Sequence, residues 1–75
     1  MDEGYILSNK FRRVIFDALS SGETNINMIS KKYRIIPIVS QKVVDDFISG
    51  GILEKKGNKY VLTKEGKKLA TIVNG

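Results

Sequence analysis

The chain reads as a small α+β domain: three helices, then a hairpin of short strands, then a brief last helix. Three observations carry that reading. Residues 37–49 repeat apolar side chains at three- and four-residue spacing between a proline and a Gly-Gly pair. Residues 52–63 hold two β-rich runs separated by Gly57-Asn58. The net charge of +5 sits unevenly along the chain. A helix running straight into a basic hairpin is the working end of a winged helix-turn-helix. The expected fold is that architecture, with a three-helix core, a two- or three-stranded β-wing and a short C-terminal helix.

At 75 residues the expectation is a single domain, 1–75. A chain of this size buries a modest core, so monomer stability is expected to be marginal. Hydrophobic residues at 41% and charged residues at 28% fit a globular rather than a disordered chain. Residues 1–54 carry seven Lys or Arg balanced by seven Asp or Glu, whereas residues 55–75 carry six Lys against Glu65 alone. The whole surplus therefore lies in the hairpin and the C-terminal segment after it, which points to a polyanionic partner.

Histidine and cysteine are both absent. That removes disulfides, thiolate chemistry, most zinc sites and the commonest general acid–base group. Neither a phosphate-cradling Gly loop nor a plausible carboxylate pair is present, since Asp45 and Asp46 are neighbours on a helix and point about 100° apart. An enzyme is not expected, nor a cofactor. The first residues lack a basic leader and a long apolar stretch, and no run approaches a membrane span, so the expected location is cytoplasmic.

In chain order, residues 1–7 read as a lead-in docked through Tyr5, Ile6 and Leu7. Ser8 or Asn9 caps a first helix reaching Ser20, with Gly22 as terminator. Its expected core stripe is Leu7, Phe11, Val14, Ile15 and Ala18, with Leu19 beside it. Phe16 lies off that stripe, as a dimer contact or packed against the last helix. Residues 23–27 suit a short extended segment that adds a third strand, after which Thr24 or Asn25 caps the second helix. Ile26, Ile29, Ser30 and Tyr33 form its buried side. Lys31, Lys32 and Arg34 either complement the helix dipole or touch phosphates.

Pro37 suits the first position of the third helix and pushes Ile36 out of the helical region. Ser40, Val43, Val44, Phe47 and Ile48 form one face, and Gly50-Gly51 ends the helix. The other face presents Ile38, Gln41, Lys42, Asp45, Asp46 and Ser49. A helix in the major groove reads bases with its N-terminal residues. Gln41 suits adenine, Lys42 guanine or a phosphate, and Ser40 a phosphate. An ordinary solvated face is the competing reading. Lys55, Lys56 and Lys59 cluster at the hairpin tip beside Asn58, either on the minor groove and flanking phosphates or as protection of an exposed strand edge. Thr63 caps the last helix, 64 to about 73, whose interior Gly66 weakens it by roughly 1 kcal/mol unless close packing needs it.

Several patterns resemble the winged-helix domains of MarR-, ArsR- and PadR-type transcription regulators, especially small archaeal ones. They are Ile26…Ile29-Ser30…Tyr33, Val43-Val44…Phe47…Gly51-Ile52-Leu53, and Tyr60…Leu62-Thr63…Gly66…Leu69. The segment Leu-Thr-Lys-Glu-Gly-Lys-Lys-Leu at 62–69 is the most telling. The resemblance spans residues 8–73. It implies double-stranded DNA as partner, with Ser40, Gln41 and Lys42 at the bases and residues 55–59 on the wing. A homodimer is a separate expectation, through Phe16, Leu69, Ile72 and Val73 of the first and last helices. The metal-sensing Cys and His of some ArsR-type proteins are absent, so that regulation does not carry over. The sequence departs from the pattern at Arg34, where a small or Gly-like residue is usual, and in the apolar run 35–39. Ile38 and Val39 suit thymine methyls or another protein. The alternative function is therefore a protein-interaction adaptor in a transcription or replication assembly.

Overall fold

The computed structural model describes residues 1–74; Gly75, the last residue of the expected domain, lies outside them. The order is α1 (Glu3–Leu7), α2 (Lys10–Ser20), α3 (Ile26–Tyr33), α4 (Pro37–Ser49), β1 (Leu53–Lys56), β2 (Lys59–Leu62) and α5 (Lys64–Asn74). It is an α+β winged helix-turn-helix with a multi-helix core, a two-stranded wing and a C-terminal helix.

Local chemistry sets the helix ends. The Asn9 side chain accepts from the Phe11 and Arg12 N–H groups at 2.9 and 3.2 Å, and Asn25 does the same for Asn27 and Met28 at 3.0 and 3.2 Å. Pro37 opens α4 with no side-chain cap, as a first-position proline allows. Three helices close alike. Glu23 N–H reaches back to the Ala18 carbonyl, Ile35 to Ser30 and Ile52 to Phe47, at 3.1, 2.9 and 3.1 Å. The residue before each of these three takes positive φ: Gly22 at 103°, Arg34 at 55° and Gly51 at 79°. This is the Schellman closure, which demands the left-handed region and so favours glycine.

The residues expected to lead into the first helix form a helix of their own. Asp2 accepts from Tyr5 N–H at 3.0 Å, and Ile6 is fully buried while Leu7 stays exposed. Five residues are too few for periodicity to reveal such a helix, which depends on docking. With α1 present, α2 is packed by α1, α4 and α5 together. Its inward face is consequently Ile15, Phe16, Ala18 and Leu19, and Phe11 is exposed. Phe16 is fully buried and so is no dimer contact. Its ring meets Phe47 of α4 edge to face, centroids 6.0 Å apart, at the centre of the core.

On α4 the buried residues are Ser40, Val43, Val44 and Phe47, whereas Ile48 turns outward. Tyr33 of α3 is also exposed, leaving Ile29 and Ser30 as its buried side with Ile26 packed at the margin. Ser40 is 1% exposed and accepts a hydrogen bond from Ser30 at 2.7 Å, so its hydroxyl joins α3 to α4. That corrects its assignment to a phosphate. Replacing Ser40 with Ala leaves the Ser30 donor unpaired in the core and is expected to cost about 1 kcal/mol in urea melts.

The strands pair antiparallel, with Leu53 opposite Leu62 and Lys56 opposite Lys59, so Gly57-Asn58 is a two-residue turn. Gly57 takes φ 61° and Asn58 does not take a positive value, the φ pattern of a type II′ turn. The expected third strand is reduced to one bond, from Tyr60 N–H to the Thr24 carbonyl at 3.0 Å. Thr63 caps α5, accepting from Gly66 N–H at 3.1 Å while its own hydroxyl donates to the Gly51 carbonyl at 2.6 Å. Leu69 is buried, Val73 packs against the core, and Ile72 remains 60% exposed.

Candidate nucleic-acid interface

The outward face of α4 begins with Ile38, 81% exposed, and continues through Gln41, Lys42 and Asp45. Neither polar side chain near the helix start hangs free. Gln41 Nε2 donates to Asp45 Oδ1 at 2.9 Å, and Lys42 Nζ donates to Asp46 Oδ1 at the same distance. Both are one-turn pairs, the spacing at which helical side chains meet. The Lys42 hydrogen bond and charge hold the Asp46 carboxyl below the usual carboxylate range, and the same contact raises the Lys42 ammonium.

Asp46 is also held from a distance in sequence. Tyr5 Oη of α1 donates to Asp46 Oδ2 at 3.4 Å. The Arg12 guanidinium lies 3.7 Å from the Tyr5 ring centroid and donates to the Tyr5 carbonyl at 3.1 Å. Sequence reasoning did not find Tyr5 and Arg12. They come together with Asp46 only through the docking of α1, and no local spacing announces it. Beside them a shallow groove is lined by Asn9, Phe11, Arg12, Ile38, Val39, Lys42, Val43 and Asp46.

The basic residues divide into free and engaged. Lys31 borders a hollow formed with Asn27, Ser30, Ile35 and Pro37, which sets it next to the start of α4. Lys32 turns away toward Glu23, Nζ to Oε2 3.7 Å, with the Tyr33 ring 5.5 Å from its ammonium. Arg34 is exposed and has no ion pair among the described residues. On the wing, Lys56 pairs with Glu54 at 3.1 Å, and the Lys55 ammonium sits 5.7 Å from the Tyr60 ring centroid. Asn58 and Lys59 are exposed at the tip. Such exposed pairs are worth little in water and can be exchanged for phosphate contacts.

Arg34 holds the left-handed position that glycine holds at the other two closures. A side chain there costs roughly 1–2 kcal/mol, part of which glycine returns as extra chain entropy. Arg34→Gly is expected to raise stability by about 0.5–1 kcal/mol in denaturant melts. If the guanidinium touches a phosphate, the same variant weakens duplex binding and lowers the salt slope by about 1.

Among the described residues there is no group of His, Cys, Asp or Glu able to hold a metal ion, and no helix is long and apolar enough to cross a membrane. No family model matches the chain, and no curated protein matches it in sequence. A solved structure is similar in fold: a MarR family protein of Mycobacterium tuberculosis, with a TM-score of 0.79 at 16% identity. The match covers 96% of this chain and 56% of that one, so the chain spans little more than half of that protein's length. At this identity the likeness shows the fold, and the chain has a MarR-like winged-helix fold.

Proposed function

We propose that residues 1–75 are one DNA-binding domain of a transcriptional regulator. In this reading α4 lies in the major groove and the wing, 52–63, rests on the minor groove or flanking phosphates. The observation that carries it is the position of the surplus charge: all of the net +5 falls in residues 55–75, with Lys55, Lys56 and Lys59 exposed on a hairpin anchored directly behind α4. Gln41 and Lys42 read bases and Ile38 meets thymine methyls. Lys31, Arg34, Lys55, Lys56, Asn58 and Lys59 meet the backbone, and Lys32 joins them on leaving Glu23. A chain with neither histidine nor cysteine suits binding better than catalysis. The functional analogy is to small archaeal regulators acting in the cytoplasm. A homodimer belongs to the proposal, formed through α1 and α5, which pack on each other and leave Leu7 and Ile72 exposed. It would read two half-sites about one helical turn apart.

A second reading has its own observation. Phe11 and Ile38 flank the groove at the start of α4, and Ile36 nearby is 68% exposed. Such an apolar rim also fits a protein partner. Selection of binding sites from a random duplex library, repeated over a salt series, separates the two. A regulator yields an enriched motif and a steep log–log salt slope, near −0.9 for each of about four to eight phosphates per monomer. No binding at moderate salt transfers the assignment to a protein-interaction adaptor.

A further inference from the structure

The acidic pair Asp45-Asp46 is the feature a DNA-binding face explains least, since both carboxylates come directly after the base-reading residues. We infer that Asp45 is a positioning residue for Gln41, fixing its amide so that the outward edge reads adenine and rejects guanine. The inference rests on the regulator reading above. Gln41 Nε2 has two hydrogens, and Asp45 Oδ1 takes one of them at 2.9 Å. The reverse amide orientation would set Oε1 against a carboxylate, two acceptors facing each other, and is disfavoured. What remains for a base is one N–H and the Oε1 acceptor. Adenine presents N7 as acceptor and N6–H as donor, and satisfies both. Guanine presents two acceptors, N7 and O6, and leaves Oε1 opposed. In water an exposed pair of this kind is weak, but closure of the groove over it removes competing solvent and strengthens it.

The experiment first selects a motif for the full chain, then measures affinity for duplexes with each adenine of the motif replaced by guanine. It compares the wild type with Asp45→Ala, Asp45→Asn and Gln41→Ala. Asp45→Ala and Asp45→Asn remove the same charge and should tighten overall binding alike. Asn offers Gln41 a donor as well as an acceptor, so either amide orientation is satisfied, and Ala offers neither. The expected result is that one adenine is preferred over guanine by about five-fold or more in the wild type. In Asp45→Asn, Asp45→Ala and Gln41→Ala that preference falls to near unity. Preference kept in Asp45→Ala or Asp45→Asn overturns the inference, as does preference kept in Gln41→Ala, which would make the charge of Asp45 rather than the orientation of Gln41 the cause. A motif without an adenine sensitive to Gln41→Ala also overturns it, while the regulator reading stands. Failure of the wild type to select any motif overturns both together.

Discussion

Gly66→Ala is expected to lower the thermal midpoint by about 10–15 °C, equivalent to roughly 2 kcal/mol or somewhat more in a domain of this size. On helix propensity alone the change should help, by about 1 kcal/mol. The fold reverses the sign. A Cβ at Gly66 would run into the Ile52 carbonyl oxygen, and would stand 3.0 Å from the Ile52 carbonyl carbon and 3.2 Å from Leu62 Cβ. That carbonyl cannot withdraw. It accepts from Thr63 N–H at 3.0 Å, and the Ile52 N–H is tied to the Phe47 carbonyl, so the residue is held on both sides, by the end of α4 and by the cap of α5. Ile52 itself is 2% exposed. Relief would have to come from lifting α5 off the wing, which exposes Leu69 and loosens the α2–α5 contact. Circular dichroism melts of the two proteins decide the point, and an unchanged or raised midpoint would mean that α5 adjusts freely.

Reversal of the wing charge, with Lys55, Lys56 and Lys59 all changed to Glu, is expected to weaken duplex binding by at least about a hundred-fold at 0.1 M salt and to flatten the salt slope by roughly 3. Three such changes remove six units of charge and take the chain from +5 to −1. The fold should survive. All three side chains are exposed, Lys56 has only the weak exposed pair with Glu54 to lose, and the hairpin is held by Leu53 and Tyr60 in the core. A fluorescence anisotropy titration of labelled duplex over a salt series, with the melting curve as control for folding, reads both quantities. Unaltered affinity in a folded variant would remove the wing from the interface and leave its lysines as guardians of the strand edge.

These two results depend on different amounts of tertiary information. The wing lysines were legible as a group, because a two-residue Gly-Asn turn brings 55, 56 and 59 to one tip whatever the rest of the chain does. The need for glycine at 66 was legible only as an anomaly, a poor helix former inside a helix. Its partner, the Ile52 carbonyl, lies fourteen positions earlier and becomes a neighbour through packing. Arg34 stands between these cases. The departure from a Gly-like residue was visible, and its left-handed conformation explains what the position requires.

By itself the sequence determined where the helices from α2 onward and the wing begin and end. Asn9, Asn25, Pro37, Thr63, Gly22 and Gly51 act within a turn of their own position, through caps and closures that need no distant partner. Tertiary structure decided which side chains those elements turn inward. Phe16 is core because α2 is covered by α1 and α4 together, and Ser40 is core because Ser30 meets it from α3. Tyr5 reaches Asp46 across 41 positions of chain. A helix of period 3.6 specifies the order of residues around its axis, but the neighbours that pack on it choose the rotation, and those neighbours are set by the whole core at once.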